Sequence, residues 1–179
     1  MKSMIKKVYL KVLAFISYEK YARLIGVNMG KECRLLGRPS FGTEPYLITM
    51  GDHVSISAGV TFLTHEGAHW VLKGLNPNEY DRTFGFGRIN IGNNVYIGYG
   101  TTILRSVTIG DNVVVGACSL VNKSLEGNAV YAGVPCRRIC TIEEWKKKFL
   151  SEMPEYDYDN YKKNRKEEIL RIVDSFPQR

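Results

Sequence analysis

The stretch IGNNVYIGYGTTILRSVTIGDNVVVGACSLVNKSLE, residues 91–126, contains an aliphatic residue at every sixth position. These positions are Ile91, Ile97, Ile103, Ile109, Val115 and Val121. Gly follows four of them, and the fifth position of a unit is small or β-branched in five of the six units. A period of six suits neither an α-helix nor an ordinary hairpin, but it fits one short strand followed by one corner. The repeat therefore predicts a solenoid of short parallel strands.

Three units of six residues make one triangular coil of eighteen residues, and stacked coils pair their strands with one another. We predict that the first and fifth residues of each unit point into the interior. Gly, Asn and Asp at the corners, as in Gly92-Asn93-Asn94, tolerate the backbone dihedral angles of turns. The same frame fits upstream at Met50, Ile56 and Phe62, so the solenoid extends beyond the quoted stretch.

The frame breaks after His65 and resumes near residue 89. We interpret residues 66–87 as a loop extruded from the solenoid, and long loops of this kind are usually functional. The chain then divides into an N-terminal amphipathic helical segment (1–28), the solenoid with its loop (29–136) and a C-terminal helical extension (137–179).

Helical patterns flank the repeats. Apolar residues recur on one side of residues 4–24, with lysines on the other. A capping-box pattern at Thr141–Glu144 opens a predicted helix that runs to about Glu152, and a further helix is predicted at Asn160–Asp174. These helices are candidates to cap the open ends of the solenoid, where strand edges are otherwise unpaired.

The net charge of +7 is concentrated at the N-terminus. Residues 1–40 hold nine Lys or Arg and two Glu, which gives +7, whereas residues 41–136 total −2 and residues 137–179 total +2. The repeat region is thus slightly acidic, and no nucleic-acid partner is predicted. The basic N-terminal helix is interpreted either as a cap of the solenoid or as a peripheral contact with an anionic membrane surface.

The four cysteines form no CxxC pair, so we predict reduced thiols in a cytoplasmic protein and no metal site, with a membrane-peripheral location as the alternative. The apolar run near the N-terminus is interrupted by Lys11 and lacks a small-residue cleavage site. We therefore do not interpret it as a signal peptide, and it is too short to span a bilayer.

Residues 89–139 resemble the C-terminal coils of hexapeptide-repeat acyltransferases. Within that family the chain is most similar to the maltose/galactoside and the capsular or lipopolysaccharide O-acetyltransferases, the latter through FGTEPYLITMGDHVSISAGVTFLTHEG, residues 41–67. The resemblance implies acetyl-CoA as donor and a homotrimer with active sites between subunits. It also implies a left-handed parallel β-helix, so we predict an all-β fold with an extruded loop, flanked by N-terminal and C-terminal α-helices.

In this family the histidine of the matching Thr-His motif is the catalytic base, which implies that role for His65. A base histidine works better when a carboxylate orients its other ring nitrogen. Glu44 and Glu66 are the two candidates, and we favour Glu44, since Glu44-Pro45-Tyr46 resembles a motif of the capsular group. Tyr46 is predicted to contact the acceptor. Trp70 either stacks on a sugar ring or only pins the loop.

The family binds coenzyme A along the groove between subunits, largely through backbone groups. The matching positions are Tyr99, Ala117, Asn122 and Lys123, and Tyr99 stands where a small residue, often Ser, is usual. Lys123, Arg137 and Arg138 follow the last coils, where the family binds the nucleotide phosphates, and their charge suits that ligand.

The resemblance thus implies an acetyl-CoA-dependent O-acetyltransferase that acts on a sugar hydroxyl, in surface polysaccharide biosynthesis. One alternative is an N-acetyltransferase acting on an amino sugar nucleotide or an antibiotic. A gamma-type carbonic anhydrase needs three zinc-binding histidines, and His65 and His69 are placed wrongly for it. A non-catalytic solenoid scaffold is the remaining class. An assay of coenzyme A release over a panel of sugars separates these readings.

Overall fold

The computed structural model describes residues 2–76, 78 and 85–176, with side chains from residue 8 onward. Short strands fill the predicted repeat region. Before the break in the frame these are β1 (Asn28–Met29), β2 (Arg34–Leu35), β3 (Ile48–Met50), β4 (Val54–Ile56) and β5 (Thr61–Leu63), with a 3-10 helix at Pro45–Leu47. At the break lie β6 (His65–Glu66), α3 (Trp70–Leu75) and β7 (Gly85–Phe86).

The quoted stretch itself forms one strand in nearly every six-residue unit. These strands are β8 (Ile89–Ile91), β9 (Val95–Ile97), β10 (Thr102–Leu104), β11 (Thr108–Ile109), β12 (Val113–Val115) and β13 (Leu120–Val121). β14 (Ala129–Ala132) and β15 (Arg137–Thr141) follow. The strands of the coils make three sheets, ordered β1-β3-β8-β11, β13-β10-β5 and β15-β14-β12-β9-β4-β2, and β6 and β7 form a separate two-stranded sheet. Every pairing within the three sheets of the coils is parallel except that of β14 with β15.

The register confirms the eighteen-residue coil. Ile91 pairs with Ile109, and Ile97 pairs with Val115, eighteen positions further along the chain in each case. Across the break, Phe62 pairs with Ile103, so the spacing rises to 41 positions while the coils remain stacked. The structure is therefore a parallel β-helix whose coils stay paired although the chain between Phe62 and Ile103 is longer than one coil.

The interior of the β-helix is built from the two predicted positions of each unit. The first-position residues Ile97 and Ile103 are fully buried, and the fifth-position Val95, Thr101 and Ser119 are at most 2% exposed. The two buried hydroxyl groups each donate to the carbonyl oxygen of Gly116 (Oγ1 of Thr101 at 3.1 Å, Oγ of Ser119 at 2.8 Å). A small polar side chain is thus accepted in this core because its hydrogen bond is satisfied.

The corners depart in one respect from the expectation for glycine. The left-handed backbone conformation falls on the fourth residue of a unit, for example at Asn94 (φ 55°) and Asn112 (φ 56°), and not on the second-position glycine. Gly98 is required for another reason, since a Cβ there would lie 2.6 Å from the backbone nitrogen of Ala117 in the next coil. Glycine follows the buried aliphatic residue because neighbouring coils approach so closely.

The N-terminal segment is two helices where one was predicted. α1 (Lys2–Ile16) and α2 (Tyr18–Ile25) are separated at Ser17, whose hydroxyl accepts a hydrogen bond from the backbone nitrogen of Lys20. Ala22 of α2 is fully buried, and Tyr18 and Ile25 pack against the core. None of residues 8–16 is buried. The part of this segment that packs on the core is therefore α2.

The C-terminal extension begins with a strand, because β15 pairs with β14 before any helix starts. The chain divides into two compact units, Met1–Ile142 and Glu143–Arg179. The second contains α4 (Ile142–Glu152, whose first residue belongs to the first unit), α5 (Tyr158–Lys163) and α6 (Arg165–Ser175). The helix predicted over residues 160–174 is thus interrupted at Asn164. The term all-β describes only the coils, since helices form both ends of the described chain.

Within the second unit, α5 and α6 are joined by a buried carboxylate. Glu168 accepts hydrogen bonds from the backbone nitrogen of Asp157 (2.8 Å), Nδ2 of Asn160 (3.0 Å) and Nε of Arg171 (3.0 Å). These bonds, with that from Arg171 foremost, lower the pKa of Glu168 to about 2. No helix in the described part of the chain combines the length and apolar character needed to cross a membrane.

Candidate active site

The candidate site lies where the chain leaves the β-helix. β5 ends at Leu63, the next residue Thr64 is fully buried, and β6 begins at His65. β6 pairs antiparallel with β7, so that His65 lies opposite Phe86. The predicted extruded loop 66–87 includes α3, but residues 77 and 79–84 lie outside the described residues, so the loop as a whole stays a prediction.

Glu44 lies one coil before His65 and contacts it directly. Oε2 of Glu44 is 2.8 Å from Nδ1 of His65 and also accepts a hydrogen bond from Oγ1 of Thr64 (2.8 Å). Its other oxygen, Oε1, accepts from Oγ1 of Thr43 (2.6 Å). The Glu44 side chain is 15% exposed, whereas that of His65 is 45% exposed. The carboxylate is therefore held by three partners while the imidazole faces solvent.

These contacts fix the protonation of the pair. The hydroxyl of Thr43 makes the largest contribution to lowering the pKa of Glu44, and Thr64 and His65 add to it, against a partial burial that raises the pKa. An ionised carboxylate only accepts hydrogen bonds, so Nδ1 of His65 must be the protonated nitrogen. In the neutral imidazole Nε2 is then unprotonated and can accept a proton.

A cleft of about 640 Å³ opens beside His65. Besides His65, its lining residues are Leu63, Glu66, Gly67, Leu104, Arg105 and Asn122, which come from three successive coils and from β6. The ring centroid of Phe86 lies 5.8 Å from that of His65. The cleft thus combines apolar walls with a histidine and a charged pair, as small-molecule sites do.

Arg105 contacts both β6 and β7 from the neighbouring coil. Nη2 of Arg105 donates to Oε2 of Glu66 at 2.8 Å. A Cβ on Gly85 would lie 3.4 Å from the Arg105 guanidinium carbon, and a Cβ on Gly87 would lie 2.7 Å from the backbone nitrogen of Ser106. Glycine at these positions lets β7 lie directly against the coil, where Arg105 can hold β6.

The structure separates the two carboxylates that the sequence offered as partners of His65. Glu44 contacts the imidazole, whereas Glu66 is paired with Arg105. The other two histidines are placed elsewhere. Nδ1 of His69 is 2.9 Å from the carbonyl oxygen of Glu66, and Nδ1 of His53 is 2.9 Å from Oδ1 of Asn94 at a corner.

The residues predicted to bind the acceptor flank the site without lining the cleft. Tyr46, in the 3-10 helix after Glu44, has 64% of its surface exposed. Trp70 is the first residue of α3 and is 65% exposed, with Nζ of Lys73 lying 4.9 Å from its ring centroid. Both aromatic rings are thus accessible to a ligand.

Among the residues predicted to bind coenzyme A, Asn122 lines the cleft with His65. Tyr99 and Ala117 are exposed one coil apart, and the carbonyl oxygen of Tyr99 accepts a hydrogen bond from the backbone nitrogen of Cys118 (2.7 Å). Lys123 is exposed after β13, and Arg137 and Arg138 are exposed on β15. Five of the six predicted residues therefore do not line the cleft: Tyr99, Ala117, Lys123, Arg137 and Arg138.

Sequence reasoning missed Arg105, Thr64 and Phe86. Arg105 occupies the same register as Thr64, because Phe62 pairs with Ile103. Aligning the coils across the break would have placed Arg105 beside the strand that carries His65. That alignment needs the 41-residue spacing, which the repeat alone does not supply.

Comparison with known proteins identifies the class to which this fold and site belong. Residues 88–123 match a family model described as bacterial transferase hexapeptide (six repeats). The chain is 40% identical to Protein CapG of Staphylococcus aureus over 97% of each chain. The chain therefore belongs to the hexapeptide-repeat transferase family, whose members fold as left-handed parallel β-helices.

Within that family the protein is an acetyltransferase. It is 34% identical to the putative colanic acid biosynthesis acetyltransferase WcaF of Escherichia coli (strain K12), over 63% of this chain and 68% of WcaF. A solved structure of galactoside acetyltransferase in complex with coenzyme A is 28% identical, with a TM-score of 0.52 over 79% of this chain and 83% of that one. Among the residues that the structure describes, no cluster of three His, Cys, Asp or Glu side chains could hold a metal ion.

Proposed function

We propose that this protein transfers an acetyl group from acetyl-CoA to a hydroxyl group of a sugar, in the biosynthesis of a surface polysaccharide, with His65 as general base. The observation that carries the proposal is the contact between Nδ1 of His65 and Oε2 of Glu44 beside an open cleft. The name of the relative WcaF, a putative colanic acid biosynthesis acetyltransferase, supports a polysaccharide as the acceptor.

The proposed reaction is a direct transfer. Nε2 of His65 takes the proton of the sugar hydroxyl as its oxygen attacks the thioester carbonyl carbon. A carbon–oxygen bond forms and a tetrahedral intermediate results. The carbon–sulfur bond then breaks, coenzyme A leaves as its thiolate, and the imidazolium returns the proton to that sulfur. Glu44 keeps the imidazole in the required tautomer and stabilises its transient positive charge.

The oxyanion of the intermediate needs a hydrogen-bond donor. Where relatives are expected to use a small hydroxyl residue, this chain has Tyr99, which is 61% exposed. We propose that a backbone N–H group near Tyr99 supplies the donor. The exposed edge of the successive coils that carry Tyr99, Ala117 and Asn122 would hold the pantetheine arm.

We assign the phosphates of coenzyme A to Lys123, Arg137 and Arg138. All three side chains are exposed, and the two arginines lie next to each other on β15, the last strand of the third sheet. Arginine suits phosphate through both its charge and its paired N–H donors. Coenzyme A with its thioester at His65 would then extend along the β-helix to these three residues at the end of the stacked coils.

We also propose that the active enzyme is a homotrimer whose sites lie between subunits. The cleft beside His65 is open on this single chain, and the predicted coenzyme A residues are exposed outside it. A neighbouring subunit would close the cleft and bring the donor and acceptor together, and such proximity lowers a reaction barrier by several kcal/mol. The four free thiols fit a reducing compartment such as the cytoplasm.

The test is a measurement of coenzyme A release with acetyl-CoA and a panel of acceptors. We expect turnover with neutral sugars, loss of that turnover in His65→Ala, and a trimeric mass by light scattering. Turnover only with amino sugars, nucleotide-linked or free, would replace O-acetylation by N-acetylation. Near wild-type transfer by His65→Ala would remove His65 as the base, and a stable active monomer would remove the interfacial site.

A further inference from the structure

We infer that α1 is an interfacial helix that binds this enzyme to an anionic lipid surface. The inference goes beyond the proposed acetyl transfer and does not depend on it. α1 contains four lysines and no acidic residue. The structure leaves one face of that helix uncovered.

α1 has two apolar faces, and the protein uses only one of them. Leu10, Leu13 and Ala14 are half-buried on the side that faces the rest of the chain. On the opposite side lie Val8, Val12, Phe15 and Ile16, with Phe15 82% exposed and Ile16 74% exposed. A surface helix normally turns a polar face to water, so this apolar stripe indicates a partner other than water.

The charge of α1 suits an anionic lipid surface. Lys11 is exposed and, at 100° per residue, follows one edge of the Val8–Val12–Phe15 stripe. A basic helix that exposes an apolar stripe is the pattern of helices that lie in the plane of a membrane interface. Each lysine near an anionic surface strengthens binding roughly fivefold.

The helix that follows α1 is fastened to the β-helix, so α1 is tethered to the rest of the enzyme. It continues through Ser17 into α2, where Oη of Tyr18 donates to the carbonyl oxygen of Pro39 (2.9 Å). Oε1 of Glu19 accepts a hydrogen bond from the backbone nitrogen of Leu35 (3.2 Å). The guanidinium of Arg23 donates to the backbone carbonyls of Met29 and Gly30. α2 thereby fastens the helix pair to the first coil.

The apolar stripe could be covered by a second copy of this chain or by a lipid surface, and charge decides between them. Pairing the stripe with that of a second copy would bring two helices together that each carry four lysines and no acid. Like charges at that distance repel, and nothing acidic in either helix offsets them. Anionic headgroups offer the opposite charge to the lysines and an apolar boundary to Phe15 and Ile16. With fifteen residues, α1 is about 22 Å long, so it would lie on the surface.

The test is co-sedimentation of the full chain with two kinds of vesicle, pure phosphatidylcholine and an equal mixture of phosphatidylcholine and phosphatidylglycerol. We expect binding to the anionic vesicles at least ~10-fold tighter, and weaker binding as salt is raised. Phe15→Ser combined with Ile16→Ser should weaken that binding by ~10-fold or more. Both side chains are exposed, so folding should survive the change.

The matched control is Leu170→Ser combined with Val173→Ser. These two exposed apolar residues lie on α6, which also carries Glu167, Glu168 and Asp174, and their replacement should leave vesicle binding unchanged. Light scattering and acetyl transfer to a soluble acceptor are measured on all variants. A change of oligomeric mass in the Phe15/Ile16 variant would assign the stripe to a second copy. Equal binding to both vesicles, or binding that the variant keeps, would overturn the inference, whereas loss of acetyl transfer by His65→Ala bears only on the proposed function.

Discussion

Two histidines of this chain hold Nδ1 against a side-chain oxygen at nearly the same distance, in regions that do different things. His53 lies 2.9 Å from Oδ1 of Asn94, at a corner of the regular coils. His65 lies 2.8 Å from Oε2 of Glu44, where the chain leaves the coils. The first contact continues along the stack through Asn112 and Asn128, and we call this series the asparagine ladder.

The difference between them is what surrounds the ring. In the asparagine ladder every member has a left-handed backbone and an amide or imidazole that bonds to a neighbouring coil, so the interactions repeat and hold coils together. At the exit from the coils His65 has an ionised carboxylate on one side and a cleft on the other. The regular corners hold the coils together, and the break in regularity opens the cleft in which we place the proposed reaction.

The sharpest way to break this comparison is to make the same substitution at both histidines. His65→Asn should lower kcat by ~100- to 10,000-fold, because asparagine cannot accept the proton of the hydroxyl. His53→Asn should leave kcat/KM within about twofold, because asparagine already fills this corner at the next three positions, Asn94, Asn112 and Asn128. Steady-state release of coenzyme A measures both, and circular dichroism confirms that both variants fold. Equal losses of activity in the two variants would show that His53 and His65 do not differ in function.

Glu44→Gln tests whether His65 needs the negative charge of a carboxylate beside it, and not merely a hydrogen-bond acceptor such as the one beside His53. We expect kcat to fall by ~10- to 100-fold with little change in KM for acetyl-CoA, because the amide neither fixes the tautomer of His65 as firmly nor stabilises its positive charge. Glu44→Asp is the control that keeps the charge and should recover part of the loss. Full activity in the glutamine variant would leave Glu44 without a role in positioning.

The same pair gives a pH dependence with a definite sign. The pKa of Glu44 in the folded chain lies below its usual 4.5, chiefly because Thr43 donates to it. A carboxylate with a depressed pKa adds stability above its unfolded pKa and loses it as the pH falls through the folded value. The difference in melting temperature between wild type and Glu44→Gln should therefore be full at neutral pH and shrink below about pH 4.5. A difference that grows on acidification would contradict the assigned contacts.

The regular region could be predicted from the sequence, and the exit from it only in part. The inward positions follow from the repeat, because a parallel stack places every sixth residue on the same line. Glu44 could be placed roughly one coil before His65, and the bridge between Ser40 and Thr61 shows the actual spacing of 21 residues. That coil is three residues longer than the ideal, so the side-chain contact itself depended on the structure.

Arg105 shows why the other contacts of the site could not be predicted from the sequence. Its contact with Glu66 joins two coils across the departing segment, and no local pattern fixes the number of residues in that segment. The second-position glycines were misinterpreted for a related reason, whereas Gly59 and Gly100 do have left-handed backbones. The need for glycine at Gly98 comes from a neighbouring coil and not from its own dihedral angles, so a rule based on local conformation gives the right residue for the wrong cause.

Asn112→Ala tests the asparagine ladder by itself. The change removes the hydrogen bonds from Nδ2 of Asn94 and to Oδ1 of Asn128 and places a Cβ residue without a polar side chain at φ 56°. We expect a loss of about 2 kcal/mol of unfolding free energy, roughly half from hydrogen bonds and half from the backbone. Asn112→Gly, which relieves the backbone, should lose less. Denaturant titration measures both, and kcat should stay unchanged; a fall in kcat would connect the ladder to the site.

The smallest expected effect concerns the ion pair of Glu66 and Arg105. This pair holds β6 against the next coil, as the asparagine ladder holds the corners of neighbouring coils together. Its side chains are 52% and 37% exposed, so Arg105→Met should change the unfolding free energy by no more than ~1 kcal/mol. Because the pair holds the strand that carries His65, we still expect kcat/KM to fall by ~3- to 10-fold, as a base that moves by a fraction of an ångström loses rate. Glu66→Gln should give a similar loss, and the double variant should lose no more than either single one. Losses that multiply in the double variant would mean that Glu66 and Arg105 act separately, and the region around His65 would then owe its geometry to the backbone alone.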